Sequence, residues 1–443
     1  MKWWVYPKYK SSGVAWFGDI PEHWDIEKLK HISSVQFSNV DKNTVESEEP
    51  VRLCNYVDVY YNEFITATLE LMEATATQSE IQKFRLHEGD VLITKDSEAW
   101  DDIAVPAYVT GNHDRILCGY HLAQIRPNSE RIDGKYLFRS FCSRGINDQF
   151  RVAATGITRY GLGKYWIDNG LFPVPPINEQ RAIAAFLDRE TARIDTLIEK
   201  KERQIELLQE KRSALISHAV TKGLDPNVKM KDSGIEWLGK IPEHWRLLSI
   251  KRLTLVKRGA SPRPIDDPKY FDEEGEYAWV RIADVTASSR YLETTTQRLS
   301  ELGKSLSVPL EPGDLFLSIA GTVGKPIITK IKCCIHDGFV YFPQYRENKE
   351  FLYYVFASGQ PYHGLGKWGT QLNLNTNIVG GIHIGLPPEA EQDTIVAYLD
   401  QETARIDALI EKIRKSIDLL HEYRTALITA AVTGKIDVRK EVA

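Results

Sequence analysis

The sequence predicts a mixed α/β (α+β) chain in which two globular modules alternate with two long helices that pair within the chain as an antiparallel coiled coil. Three observations predict it: an uneven internal repeat, a heptad pattern in each copy of its helical part, and short strand-like runs between the copies.

The repeat is nearly exact where it is helical. Leu187-Asp188-Arg189-Glu190-Thr191-Ala192-Arg193-Ile194-Asp195-Thr196-Leu197-Ile198-Glu199-Lys200 returns 212 residues later, from Leu399 to Lys412, with two of fourteen positions changed. Ile20-Pro21-Glu22-His23-Trp24 returns as Ile241-Pro242-Glu243-His244-Trp245, 221 residues later, so the first module is about nine residues longer than the second. Glycine and proline between large apolar residues make this second repeat an irregular packed segment. His23 and His244 have no companions at metal-ligand spacing and read as structural histidines beside buried tryptophans.

The organisation that follows is a repeated segment (1–24), a module (25–176), a central helix (177–222), a linker with the second repeated segment (223–245), a second module (246–388), a second helix (389–433) and a tail (434–443). Pro175-Pro176 and Pro387-Pro388 mark the helix starts, and about 43 residues follow each without an internal Pro or Gly. Such helices are roughly 65 Å long. In the second copy one stripe holds Leu399, Ile406, Ile413, Leu420 and Leu427; the other holds Val396, Thr403, Ile410, Ile417, Arg424 and Ala431. The first copy places Leu187, Ile194, Lys201, Leu208 and Leu215 beside Ala184, Thr191, Ile198, Ile205, Arg212 and Ala219. These are heptad seams. Lys201 in the seam, where its counterpart is Ile413, is expected to help fix register, and Arg212 and Arg424 either do the same or turn their charged ends outward. An antiparallel pairing would set the modules at opposite ends of a rod.

The modules read as two versions of one fold. Asp90-Val91-Leu92-Ile93-Thr94 and Asp314-Leu315-Phe316-Leu317-Ser318-Ile319 each follow a Gly-Asp turn, and Val51-Arg52-Leu53 matches Val280-Arg281-Ile282.

Composition sets bounds. A content of 42% hydrophobic and 26% charged residues suits a soluble globular protein, and no apolar run reaches membrane-span length. The first residues lack the apolar core of a secretory signal, and five cysteines form no CxxC pair or disulfide framework, which points to the cytoplasm. The net charge of −5 leaves nucleic-acid binding to local Lys/Arg placement.

Catalytic motifs are missing. Gly321-Thr322-Val323-Gly324-Lys325-Pro326 is too short for a phosphate loop and has proline where the magnesium-binding hydroxyl belongs, so it reads as a turn. Gly161-Leu162-Gly163-Lys164 recurs as Gly364-Leu365-Gly366-Lys367, but out of frame with the flanking repeat. No GxSxG, HExxH or Cys/His cluster occurs. The expectation is a chain with no catalytic or metal site of its own.

The alternation of divergent modules with a duplicated helix and a duplicated Ile-Pro-Glu-His-Trp segment resembles the specificity (S, HsdS-type) subunits of type I restriction–modification systems. Its carriers are Gly18–Trp24 and Gly239–Trp245, the Pro-Pro…Glu-Gln helix openings (Glu179-Gln180 and Glu391-Gln392), and Gly-Thr-Gln-Leu-Asn at 369–373. Gly156-Ile157-Thr158-Arg159 departs from that last string in the first module. The resemblance covers nearly the whole chain. It implies a non-catalytic subunit with two target-recognition domains, each reading half of an asymmetric bipartite site on double-stranded DNA. It also implies two methyltransferase and two restriction–translocase subunits as partners, with S-adenosylmethionine, ATP and Mg²⁺ bound by those partners.

Base edges are read by Arg, Lys, Asn and Gln, and phosphates by Lys, Arg and hydroxyls. On that chemistry the DNA-binding candidates are Lys95, Ser97, Arg159, Tyr160 and Lys164 in the first module. In the second they are Arg258, Ser261, Arg263, Lys325, Lys367, Gln371 and Asn373. The rival readings are a coiled-coil adaptor without DNA recognition and an enzyme with a sparse site.

Overall fold

The two long helices organise everything else. In the computed structural model, which describes residues 3–363 and 374–439, they run over Ile177–Lys222 and Glu389–Val432. The chain forms two units: residues 1–201 with 414–443, and residues 202–413. Each unit therefore takes the beginning of one long helix and the end of the other.

In unit one, Ile183, Ala184, Leu187, Ile194 and Ile198 share a core with Leu427, Ile428, Ala431 and Val432. In unit two, Ile216, Ala219 and Val220 share one with Ile395, Val396 and Leu399. Start packs against end in both, which is antiparallel pairing. Leu187, Ile194, Ile198, Leu399, Ile406, Ile410, Ile413 and Leu427 are buried, whereas Ile205, Leu208, Leu215, Ile417 and Leu420 are half-buried. The two seam arginines reach across to the facing helix. Arg424 binds Asp195 with Nε at 2.9 Å, and Arg212 lies 3.2 Å from Asp407. Asp195 and Asp407 are the same position of the repeat, as are Arg212 and Arg424. The seam arginines thus meet carboxylates of the facing helix rather than simply turning away.

The repeated segments pack as irregular structure. Tyr9–Ser11 pairs with Asp19–Pro21, and Met230–Asp232 with Lys240–Pro242, in matching antiparallel register. Trp24 and Trp245 are fully buried. Each indole N–H donates to the glutamate near the start of a long helix, Trp24 to Glu179 at 3.1 Å and Trp245 to Glu391 at 3.0 Å. His23 and His244 donate to the same carboxylates. The adjacent glutamine fastens the module: Gln180 Oε1 accepts the backbone N–H of Asp133, and Gln392 Oε1 that of Asn348. Those two residues cap the module helices Gly134–Phe141 and Lys349–Ala357.

The modules share a topology. In unit one a five-stranded sheet has the order 33–37, 122–127, 91–94, 106–109, 64–65, with the last strand parallel to its neighbour. Unit two repeats it as 257–258, 339–341, 315–318, 326–329, 291–292. A second sheet is built on a parallel pair, 49–54 with 116–118 and 277–280 with 333–335. The four residues of Val91–Thr94 and of Leu315–Ser318 are all buried, consistent with central strands covered on both faces.

Candidate nucleic-acid interface

Loops gather at one place in each module. In unit one these are the helix Tyr56–Tyr61, the segment 95–104, the turn 119–121 and the hairpin 155–161. Their cross-links are specific. Tyr56 Oη lies 3.2 Å from Ser97 Oγ, Tyr60 Oη donates to Asp102, and Tyr160-Gly161 pairs with Ser97-Asp96. The turn at 119 brings backbone against backbone: a Cβ on Gly119 would sit 2.6 Å from the Cys54 carbonyl oxygen. Ala104 adopts φ 58°, rare for a residue with a side chain, and its carbonyl is held by Asn147 Nδ2 at 2.8 Å. The Ala104 N–H donates to the Thr94 carbonyl at 2.8 Å, which closes the base of the 95–103 loop.

The surface so built is aromatic and polar. Tyr61, Trp100 and Tyr120 are 78%, 55% and 51% exposed, and Ile157 at the hairpin tip is 96% exposed. Glu98, Asp101 and Arg159 stand open beside them. Beneath lies a charge cluster. Asp96 takes a hydrogen bond from Lys95 at 2.9 Å and sits 3.1 Å from His121 Nδ1. Burial pushes the Asp96 carboxyl up, but these two donors outweigh it and hold it below the usual carboxylate range.

In unit two the turn between 333–335 and 339–341, which matches 119–121, carries Asp337, and Asp337 gathers the segment 258–263. Ser261 Oγ donates to it at 2.9 Å, Arg263 at 3.1 Å, and Arg258 Nε donates to its backbone carbonyl. Burial raises the Asp337 carboxyl, yet the Ser261 bond and the charges of Arg258 and Arg263 bring it below the ordinary value. Arg258 and Arg263 are exposed.

The sequence candidates fall into distinct groups. Arg159, Tyr160, Arg258, Ser261 and Arg263 lie on these loop surfaces. Lys95 and Ser97 are buried beneath, and Lys95 packs its ammonium over Phe37 and Tyr120. Lys164 is exposed but bonds Asp168 one helical turn on. Lys325 donates to the Thr286 and Ser288 carbonyls, and burial lowers its ammonium pKa, so it ties loops together. Lys367, Gln371 and Asn373 lie outside the described residues, as does the second Gly-Leu-Gly-Lys string. Gly321–Lys325 forms the turn that joins Leu315–Ser318 to Pro326–Thr329. Sequence reasoning missed Tyr61, Trp100 and Tyr120, because an aromatic residue in a loop carries no exposure signal of its own.

Among the described residues no group of three or more His, Cys, Asp or Glu side chains is placed to hold a metal ion, and no helix is long and apolar enough to cross a membrane. The five cysteines are free thiols. Fold and loops together define a duplicated recognition scaffold, with repeated helices carrying two unlike surfaces.

The family described as "Type I restriction modification DNA specificity domain" matches residues 21–207 and 242–419. The chain belongs to this family, the non-catalytic specificity subunits of type I restriction–modification systems. A relative, the type I restriction enzyme MjaVIII specificity subunit of Methanocaldococcus jannaschii, is 24% identical over 437 residues, covering 95% of this chain and 94% of its own. The same fold occurs in a chain from a structural study of type I R-M complex assembly and conformational transition, with TM-score 0.70 and 19% identity, covering 93% of this chain and 98% of that one. It occurs also in the HsdS subunit from Thermoanaerobacter tengcongensis, with TM-score 0.56 and 19% identity over 94% of this chain and 98% of that one.

Proposed function

We propose that this specificity subunit reads a bipartite, asymmetric DNA sequence, one half through the loop surface of each module. The repeated helices set the length of the unread spacer, and methyltransferase and restriction–translocase subunits dock on the scaffold. S-adenosylmethionine, ATP and Mg²⁺ belong to those partners. The observation that carries this reading is the contrast within the chain: the scaffold is duplicated down to its Trp–Glu and Arg–Asp contacts, while among the described residues the loop contacts differ, Lys95 and His121 on Asp96 in one module and Ser261 and Arg263 on Asp337 in the other. Carboxylates such as Glu98 and Asp101 accept from cytosine amino groups, and the open aromatics contact base edges or methyls. Arg258 and Arg263 donate to guanine or phosphate. Unlike surfaces on like scaffolds suit unlike half-sites.

The test is to co-express the chain with its methyltransferase subunit and map methylated adenines by single-molecule sequencing. A single split motif with unlike halves is expected. Removing one heptad from each long helix shortens each by roughly 10 Å, and should shorten the spacer by about three base pairs. A soluble complex that leaves no motif would instead favour the adaptor.

A further inference from the structure

The two copies of the scaffold carboxylate differ in what covers them. In unit one Glu179 is 6% exposed and accepts a third donor, the Tyr6 hydroxyl, at 2.6 Å. Tyr6 is held there by Arg439, whose guanidinium lies 4.9 Å from the ring centroid and pairs with Asp437 at 2.7 Å. Trp3 stands edge-on against Phe186 at 5.2 Å and completes the cover.

Unit two has the carboxylate without the cover. Glu391 accepts from His244 and Trp245, and no third donor to it is found among the described residues. The register of the repeated segments places Asn227 where Tyr6 stands, and the helix register places Asn227 again where Arg439 stands. Asp225, the counterpart of Asp437, is left without an arginine, and Tyr398, the counterpart of the fully buried Phe186, is 37% exposed. Glu391, His244, Lys222, Leu224, Thr394 and Ile395 line a cavity of about 480 Å³.

We propose that this cavity receives a tyrosine-bearing segment of the partner methyltransferase subunit, with a basic residue beside the tyrosine. The phenol hydroxyl donates to Glu391, its ring lies against Ile395, and the cation answers Asp225. A phenol suits a cavity with an apolar wall and one acceptor. The chain itself shows the fit, since it fills the equivalent place in unit one with Tyr6 and Arg439. Only one of the two scaffold copies is open, so two identical partners would dock in unequal ways. The inference rests on the partner part of the proposed function and is independent of DNA reading.

The probe is a fluorophore-labelled octapeptide of residues 1–8, which carries Tyr6 and Lys8, titrated into the full-length chain and followed by anisotropy. Saturable binding is expected. A Tyr6→Phe peptide should bind about tenfold more weakly, the order of effect of losing a hydrogen bond to a charged group. Thr394→Trp, which fills the cavity, should abolish binding, and a thermal melt checks that this variant folds. Should it not fold, Glu391→Gln serves, with a loss that does not add to that of the Tyr6→Phe peptide. Excess methyltransferase subunit should displace the labelled peptide. Absence of binding, binding indifferent to these changes, or peptide that stays bound in the assembled complex would each overturn the proposal. No arm contains DNA, so its failure would leave DNA reading intact.

Discussion

Beyond the glutamine contact, each module binds an aspartate of its long helix through a cation, and the two ties use different chemistry in the same place. In unit one Arg139, 1% exposed, donates to Asp188 at 2.9 Å and to Glu63 at 3.1 Å, while Lys135 binds the other oxygen of Asp188. In unit two the repeat counterpart of Asp188 is Asp400. It accepts from Tyr354 at 2.6 Å and from Arg290, which also pairs with Glu350. The elements correspond: Glu63 and Arg290 each precede the last strand of the large sheet, Lys135 and Glu350 lie in the first turn of the capped helix, and Arg139 and Tyr354 one turn further. The cation has moved from helix to strand edge, and its neighbours changed sign with it. Burial alone would lower the Arg290 guanidinium pKa, but Asp400 and Glu350 outweigh it and hold it above the ordinary value.

The difference shows which side of the contact is fixed. The scaffold keeps its aspartate, and the module is free to supply the matching positive charge from wherever its sequence permits. Only the local balance of charge is required, because a buried charge left unpaired costs several kcal/mol.

Breaking the ties should therefore have a graded effect. Arg290→Glu, which places three carboxylates together, should destabilise unit two most, by about 3–5 kcal/mol. A denaturant melt checks it. Arg139→Ala should cost unit one a similar or slightly smaller amount, since Lys135 still serves Asp188. The triple change Arg290→Glu, Glu350→Lys and Tyr354→Arg copies the unit-one arrangement, and should recover most of the loss from Arg290→Glu. If it does not, the two ties are not interchangeable. Tyr6→Phe should cost unit one roughly 1.5–3 kcal/mol, as a hydrogen bond to a charged group is lost.

The smallest effect concerns acid. Asp337 titrates below its ordinary value, so its contribution is present above the unfolded carboxylate pKa and is lost as pH falls through the folded value. Asp337→Asn should flatten the acid limb of unit-two stability without changing the melt at neutral pH by more than the loss of the Ser261 and Arg263 contacts.

Much of the scaffold was legible in the sequence because periodicity and repetition are written in it. The seams of Leu187 and Leu399 follow from spacing alone, and the Gly-Asp turns locate the central strands. The ties were not legible. Arg139 and Arg290 share no alignable position, and a buried arginine looks like any surface arginine until its carboxylate is found in space. The loop surfaces were half legible for the same reason. Arg159, Arg258 and Arg263 could be nominated by residue type, but Lys95 and Lys325 have the same chemistry and are spent on Asp96 and on backbone carbonyls.

The most direct test of the account is a chain that carries the second module, residues 246–388, in both positions on the unaltered scaffold. Co-expressed with the methyltransferase subunit and mapped by single-molecule sequencing, it should methylate a split palindrome, the two halves being the same sequence on opposite strands. A motif that keeps two unlike halves would contradict the assignment of one half-site to each module.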